Sequence, residues 1–204
     1  MSINIKFIDG SELEAGTIFC IGQNYAKHRA EMGSEESNEP VIFIKPKQAI
    51  TYPDTTIELP DFSNNIHYEV ELVVLIGEDC DNILPNEANN YIAGYGVGID
   101  LTARDIQSKA KQAGKPWSTA KSFRNSAPIS YFIPKDKITN KNFEIKLYVN
   151  DILKQFGNTK EMERSIEELV AYISKIFGLR KGDLIFTGTP EGVGTIKSGD
   201  KVTA

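Results

Sequence analysis

His67-Tyr68-Glu69-Val70-Glu71-Leu72-Val73-Val74-Leu75-Ile76 sets two acids into an otherwise almost unbroken apolar run, and the rest of the chain can be arranged around it. The Val, Ile and Leu content predicts a strand over Tyr68 to Gly77. Strand side chains alternate, so Val70, Leu72, Val74 and Ile76 share one face. Glu69 and Glu71 project together from the other, their Cα atoms roughly 6.5 Å apart. Val73 and Leu75 follow the acids on that second face, which makes the strand apolar on both sides and places it in a core. Isolated carboxylates carried into a core are costly unless they are paired or bound to a cation. A hard, oxygen-preferring divalent ion such as Mg²⁺ or Mn²⁺ removes that cost.

A lone Glu-x-Glu is more often an edge strand with both acids in water, so the pair needs support from elsewhere. Gly94-Tyr95-Gly96-Val97-Gly98-Ile99-Asp100-Leu101 supplies some: a strand-like run ending in one acid, with glycines that permit close backbone approach. Asp100 would complete a three-carboxylate site, or cap the helix that follows Thr102. Asn24 is placed to cap a short helical turn reaching about Met32. On that turn His28 and Glu31, spaced i, i+3, meet on one face as a His–carboxylate dyad able to take a proton from water. The surrounding Lys27, Arg29, Glu35, Glu36 and Glu39 also allow an ordinary solvated helix. Lys121 is a lone cation in a weakly polar run after Pro116 and Trp117, suited to a substrate carboxylate or enolate oxygen. Lys45, at the end of Val41-Ile42-Phe43-Ile44, is a strand end or an anion contact. Thr187-Gly188-Thr189-Pro190-Glu191-Gly192-Val193-Gly194 offers hydroxyls and backbone N–H groups for an anion nest, or is a tight turn, and lacks the Gly-Lys-Ser/Thr ending of a Walker loop.

Further short apolar runs at Thr17 to Ile21, Val41 to Lys45, Ile92 to Leu101, Phe143 to Val149 and Asp183 to Thr187 predict more strands. Asn150-Asp151 reads as a two-residue hairpin turn before Ile152 to Phe156. Ser165 to Phe177 is the clearest helix: Ser165 and Glu168 form a capping box, Ile166, Leu169, Val170, Ile173 and Ile176 an apolar stripe, and Gly178 the stop. Ala103 to Ala113, ended by Gly114, is a second helix. The elements do not alternate regularly, which argues against a doubly wound sheet and for a β-rich α+β domain with a few helices. In the 204 residues, 23 Lys and Arg against 28 Asp and Glu leave a net charge of −5, and 40% of residues are hydrophobic. A globular chain of this size buries about 70% of its unfolded surface. There is no basic run for tracking nucleic acid, no stretch of about 20 apolar residues for a membrane helix, and no signal peptide. A cytoplasmic protein is expected. Cys20 and Cys80 fit neither a CxxC motif nor a disulfide framework and read as buried thiols.

In order along the chain, several segments together resemble the fumarylacetoacetate hydrolase family, most closely its small single-domain acylpyruvate hydrolase and oxaloacetate decarboxylase branch. They are Ile21-Gly22-Gln23-Asn24-Tyr25-Ala26-Lys27-His28 with Glu31, Phe43-Ile44-Lys45-Pro46, His67 to Leu72, Gly98 to Asp105, Lys115-Pro116-Trp117 with Ala120-Lys121-Ser122-Phe123, Gly182-Asp183, and Thr187 to Gly194. The resemblance covers nearly the whole of residues 1–204. It implies a mixed β-sandwich or β-roll with peripheral helices, usually as a homodimer. It implies Glu69, Glu71 and Asp100 as ligands of Mg²⁺ or Mn²⁺, with Ca²⁺ in some members, His28 and Glu31 as a water-activating dyad on a closing loop, and Lys121 at the oxo-acid end of the substrate. Arg104, Gln107 and Thr189 match positions of the substrate pocket, and Lys45 is assigned to it as an anion contact. Two departures stand out: Gln23 replaces an Arg frequent in close relatives, and the sequence stops at Lys201-Val202-Thr203-Ala204, where relatives continue into a final strand.

The activity these features imply is metal-dependent C–C hydrolysis of acylpyruvates (2,4-dioxo acids) to pyruvate and a carboxylic acid, with possible decarboxylation of oxaloacetate. A competing reading is an isomerase or tautomerase, either of unsaturated 2-oxo diacids, as in 2-hydroxyhepta-2,4-diene-1,7-dioate isomerase, or of oxaloacetate. A third is a non-catalytic module binding metal and carboxylate. A glycosidase using Glu69 and Glu71 is disfavoured, because acids on one strand project in parallel and do not flank a bond.

Overall fold

A computed structural model describes residues 2–204. Its centre is a six-stranded mixed sheet. The strands are β1 (Ile18–Gly22), β2 (Val41–Lys45), β3 (Val70–Ile76), β4 (Ile92–Ile99), β5 (Ile133–Pro134) and β6 (Leu184–Phe186). They lie in the order β5-β4-β3-β6-β1-β2, with β6 parallel to β1 and antiparallel to β3. The expected alternation holds along β3. Val70, Leu72, Val74 and Ile76 face one core with the helix Ile166–Phe177 and the strand Glu144–Val149. Val73 and Leu75 face a second core with Ile18, Cys20, Phe132, Leu184 and Phe186. Both cysteines are buried and unbridged.

The expected strand from Tyr68 to Gly77 breaks at Glu69, and this break positions the site. Ile66–Tyr68 belongs to a second, three-stranded sheet with Gly194–Ile196 and Thr102–Ala103. β4 likewise ends at Ile99 before its chain joins that second sheet. Val70 pairs with Ile99, so both strands cross between sheets at the same level, and the Asp100 N–H donates to the Glu69 carbonyl at 2.8 Å. Gly98 has a packing reason: a Cβ there would lie 2.6 Å from the Phe186 ring and 2.7 Å from Val73 Cγ2.

Four helices matter for the site and its support: α1 (Ala26–Glu31), α2 (Arg104–Gln112), α3 (Ser118–Lys121) and α4 (Ile166–Phe177). The residue before α2 is Ala103, so Asp100 does not cap it. Asn150 and Asp151 both have positive φ, 52° and 62°, the conformation that the tight hairpin turn demands. Along α4 the stripe is buried from Ile166 to Ile173, but Ile176 is 55% exposed because the last turn runs past the core. Among the described residues no helix is long and apolar enough to cross a membrane.

The α4 capping box forms as expected. The Glu168 N–H donates to Ser165 Oγ, while Glu168 Oε2 accepts from the Ser165 N–H at 2.7 Å and hydroxyl at 2.8 Å. Those two donors from Ser165 hold the Glu168 carboxyl below its ordinary range. A depressed folded-state pKa means that the contribution is complete above the unfolded value of about 4.3 and is lost as pH falls through the folded one. Ser165→Ala is expected to cost about 1 kcal/mol, seen as a fall in Tm of about 2–4 °C at neutral pH. An unchanged Tm would show that the cap is dispensable.

Candidate active site

The sheet crossing brings Glu69, Glu71 and Asp100 together, buried, with one oxygen of each inside a 4.8 Å group. Two of the three are served by cations. Lys121 Nζ donates to Glu69 Oε2 at 2.7 Å, Asp100 Oδ2 at 2.6 Å and Thr102 Oγ1 at 2.6 Å. Arg104 donates to Glu69 Oε1 from Nη2. Burial pushes the Glu69 carboxyl upward, but Lys121 and Arg104 override it and hold the group below the usual carboxylate range. Lys121 is raised, because Asp100 and Glu69 outweigh its own burial.

Glu71 is different. Its Oε2 accepts the Gly188 N–H at 2.7 Å, yet no basic side chain lies within ion-pair distance of it among the described residues. Burial first, then the charges of Asp100 and Glu69, push its carboxyl well above the ordinary range. Asp100 Oδ1 sits 2.8 Å from Lys45 Nζ but receives no hydrogen bond of good geometry. A buried acid without a counter-charge, beside an under-served carboxylate oxygen, fits the binding of a cation, and an all-oxygen donor set suits a hard divalent one.

Lys45 does not line the cavity. Its buried ammonium lies behind Asp100, donating to Ser126 Oγ at 2.9 Å, to the Ser126 carbonyl at 3.1 Å and to the Lys121 carbonyl. This cation ties the main chain around the acids and is out of reach of an anion in the opening.

His28 and Glu31 meet as the helical spacing predicts, with His28 Nδ1 3.2 Å from Glu31 Oε2. The N-cap of α1 is Tyr25 and not Asn24. Asn24 instead clamps the start of the helix to distant chain: its Nδ2 donates to the Thr187 carbonyl at 2.9 Å and its Oδ1 accepts from the Arg164 N–H at 2.9 Å. Glu31 is fixed in turn by the Gly192 N–H, 3.2 and 3.3 Å from its two oxygens. Gly192 has φ +93°, and a Cβ there would strike the Lys154 carbonyl oxygen at 2.4 Å. The Thr187–Gly194 turn is therefore no free anion nest. Its Gly188 and Gly192 N–H groups are spent on the site's own carboxylates.

His28 and the three acids share one cavity, open to solvent. His28, Glu69, Glu71, Asp100, Lys121, Arg104, Gln107 and Thr189 all line it, Phe43 and Trp117 form apolar wall, and Gln23, Ser34 and Lys111 stand among its remaining lining. Arg104 Nη1 donates to Gln107 Oε1, and Thr189 Oγ1 accepts from Gln155 Nε2 at 2.9 Å. Gln155 is missing from the sequence-based set. It is buried in the strand Ile152–Asn158, accepts the Val70 N–H at 2.9 Å and donates to the Pro190 carbonyl, joining β3 to the Thr189 turn. The detectable signal is a polar residue at an inward step of a strand whose burial alternates. His67 is half-buried and braces Arg104, whose Nε donates to its Nδ1 at 3.4 Å; burial and the Arg104 charge pull its pKa down to about 4.

A family model described as fumarylacetoacetate (FAA) hydrolase, C-terminal, matches residues 17–204. Oxaloacetate tautomerase YcgM of Escherichia coli K12 is 46% identical over 188 residues, covering 91% of this chain and 86% of that protein. The mitochondrial oxaloacetate tautomerase FAHD1 of Bos taurus is 44% identical, covering 92% and 85%. Fumarylpyruvate hydrolase from Pseudomonas aeruginosa, solved with Mn²⁺ and pyruvate, superposes with a TM-score of 0.93 at 36% identity over 98% of this chain and 89% of that one. Strand-rich architecture with few helices is common to the chain, this solved relative and a fumarylacetoacetate hydrolase family protein from Yersinia pestis CO92, which superposes with a TM-score of 0.92 at 40% identity over 98% of this chain and 94% of that one.

Proposed function

The chain belongs to the fumarylacetoacetate hydrolase family, and from that premise we propose that it is a divalent-metal enzyme interconverting the enol and keto forms of a 2-oxo diacid of the oxaloacetate type. One observation carries this: His28, held by Glu31, opens onto the same cavity as an acidic triad whose member Glu71 has no basic side chain beside it among the described residues. Tautomerisation needs a polarised C2 oxygen and one group that moves a proton at C3. A Mg²⁺ or Mn²⁺ ion held by Glu69, Glu71 and Asp100 would supply Lewis acidity toward the C1 carboxylate and C2 oxygen. Glu31 engages His28 Nδ1 and fixes the ring, leaving Nε2 to carry the proton to or from C3 while the C2 hydroxyl proton exchanges with solvent. Arg104 and Gln107 orient the carboxylate end, and Phe43 and Trp117 exclude bulk water from one wall.

Hydrolysis of acylpyruvates is the second reading, favoured by the likeness to the fumarylpyruvate hydrolase solved with pyruvate. There His28 would take the proton from an attacking water. The greater identity to the two tautomerases puts proton transfer first. The test follows the ultraviolet absorbance of enol oxaloacetate, and in parallel pyruvate release from acetylpyruvate, with Mg²⁺, with Mn²⁺ and with excess chelator. Ketonisation accelerated only in the presence of metal is the expected result. Pyruvate release without any acceleration of ketonisation would replace this reading with the hydrolase one.

A further inference from the structure

Around the triad the formal charges close. Glu69, Glu71 and Asp100 bring three negative charges, and Lys45, Lys121 and Arg104 three positive ones, each of these cations lying on Glu69 or Asp100. A divalent cation therefore leaves the site with two positive charges in a partly desolvated cavity, where unbalanced charge is costly. One carboxylate cancels half of that. A second carboxylate on the same ligand lowers it further, and it needs a partner away from the triad, since the inner cations are already engaged.

The cavity has one such partner. Arg104, Gln107 and Lys111 all line it and follow one another at i, i+3 and i+7 on α2, so one helix face runs along the cavity from the triad. Lys111 is roughly 10 Å along the axis from Arg104. Its Nζ is steadied 3.3 Å from Ser34 Oγ and 5.8 Å over the Trp117 ring. Among the described residues it has no carboxylate partner, whereas Arg29, another basic residue lining the cavity, is paired with Glu163. A lysine held over a ring, with a hydroxyl beside it and no anion, is arranged to receive one.

We infer that Lys111, with Ser34 beside it, binds the distal carboxylate of the substrate and makes the site selective for dianionic 2-oxo acids over their monoacid counterparts. This rests on the reading that the triad end holds a carboxylate and its neighbouring oxygen. It assigns specificity to a lysine on the helix that also carries Arg104, and to the loop after α1 that carries Ser34.

Malate and lactate test it without turnover. Both offer a C1 carboxylate and a C2 oxygen, and only malate has a second carboxylate. Titration calorimetry on the Mg²⁺-loaded full chain is expected to give malate at least about tenfold tighter than lactate, the scale of one charge-assisted hydrogen-bonded pair. Lys111→Met should lose most of that preference by weakening malate alone, and Lys111→Arg should keep it. Lys111 is exposed, so the variants should fold; an unchanged Tm checks this. Equal binding of the two acids by the parent protein, or a Lys111→Met loss shared by both, overturns this inference and leaves the proposed function standing. Binding of neither acid overturns the reading of the triad end, and this inference with it.

Discussion

Glu71→Gln is expected to abolish the rise in Tm produced by Mg²⁺ or Mn²⁺ and to lower kcat/KM for enol oxaloacetate by about a thousandfold or more, while leaving the metal-free protein at least as stable as its parent. The two signs have one cause. Among the described residues, Glu71 is the triad member with no cation beside it, and its one hydrogen-bond donor is the Gly188 N–H. Glutamine keeps an oxygen for that N–H and removes the buried charge, so the metal-free fold loses nothing and sheds a desolvation cost. What disappears is the ligand. A metal at a hundred times its Kd stabilises by about 2.7 kcal/mol, or about 5–10 °C for a chain of this length. Scanning calorimetry with and without chelator reads the shift directly. A metal-dependent shift that survives in Glu71→Gln would remove Glu71 from the ligand set.

His28→Asn should separate the other half of the site. The metal-dependent shift in Tm is expected to stay within a degree or so of the parent's, while kcat falls by about 10²- to 10⁴-fold, the usual contribution of a positioned proton carrier. Glu31→Gln should fall between, because glutamine keeps one oxygen for Nδ1 but loses the carboxylate charge that steadies the ring. Loss of the metal-dependent shift together with activity in His28→Asn would mean that the histidine supports the triad and does not move the proton.

Arg104, Gln107 and Thr189 were reached only through the family resemblance, whereas the strands and the capped helix α4 were largely readable from the chain, because period-two and 3.6-residue patterns report which side chains share a face. Glu69 and Glu71 were legible as a pair for that reason, and His28 with Glu31 as an i, i+3 dyad. The break at Glu69 was not legible. Nothing local distinguishes one ten-residue strand from two short ones joined where the chain changes sheets, since the pattern of inward residues continues through it. Lys45 was misread for a related reason. A lysine at a strand end ordinarily reaches solvent, and only the tertiary fold reveals that carbonyls from residues 101, 121 and 126 close around its ammonium. The roles of Asn24, Gly188 and Gly192 depend on partners more than a hundred residues away and leave no local trace.

The place of β6 has a consequence for how the molecule comes into being. β3–β4 and β1–β2 are each antiparallel pairs of near neighbours in sequence, but β6 lies between them, and the Thr17 N–H meets its partner on Asp183 across 166 residues. On a ribosome, the acids of residues 69–100 can come together before the segment that docks α1 has been synthesised. Until residues 183–192 emerge and zip the two pairs into one sheet, Asn24 lacks Thr187 and Glu31 lacks Gly192. Closing so long a loop is slow compared with forming the hairpins. The nascent chain therefore completes this cavity only when its last central strand is seated, since Glu71, Asn24 and Glu31 all take partners from residues 187–192.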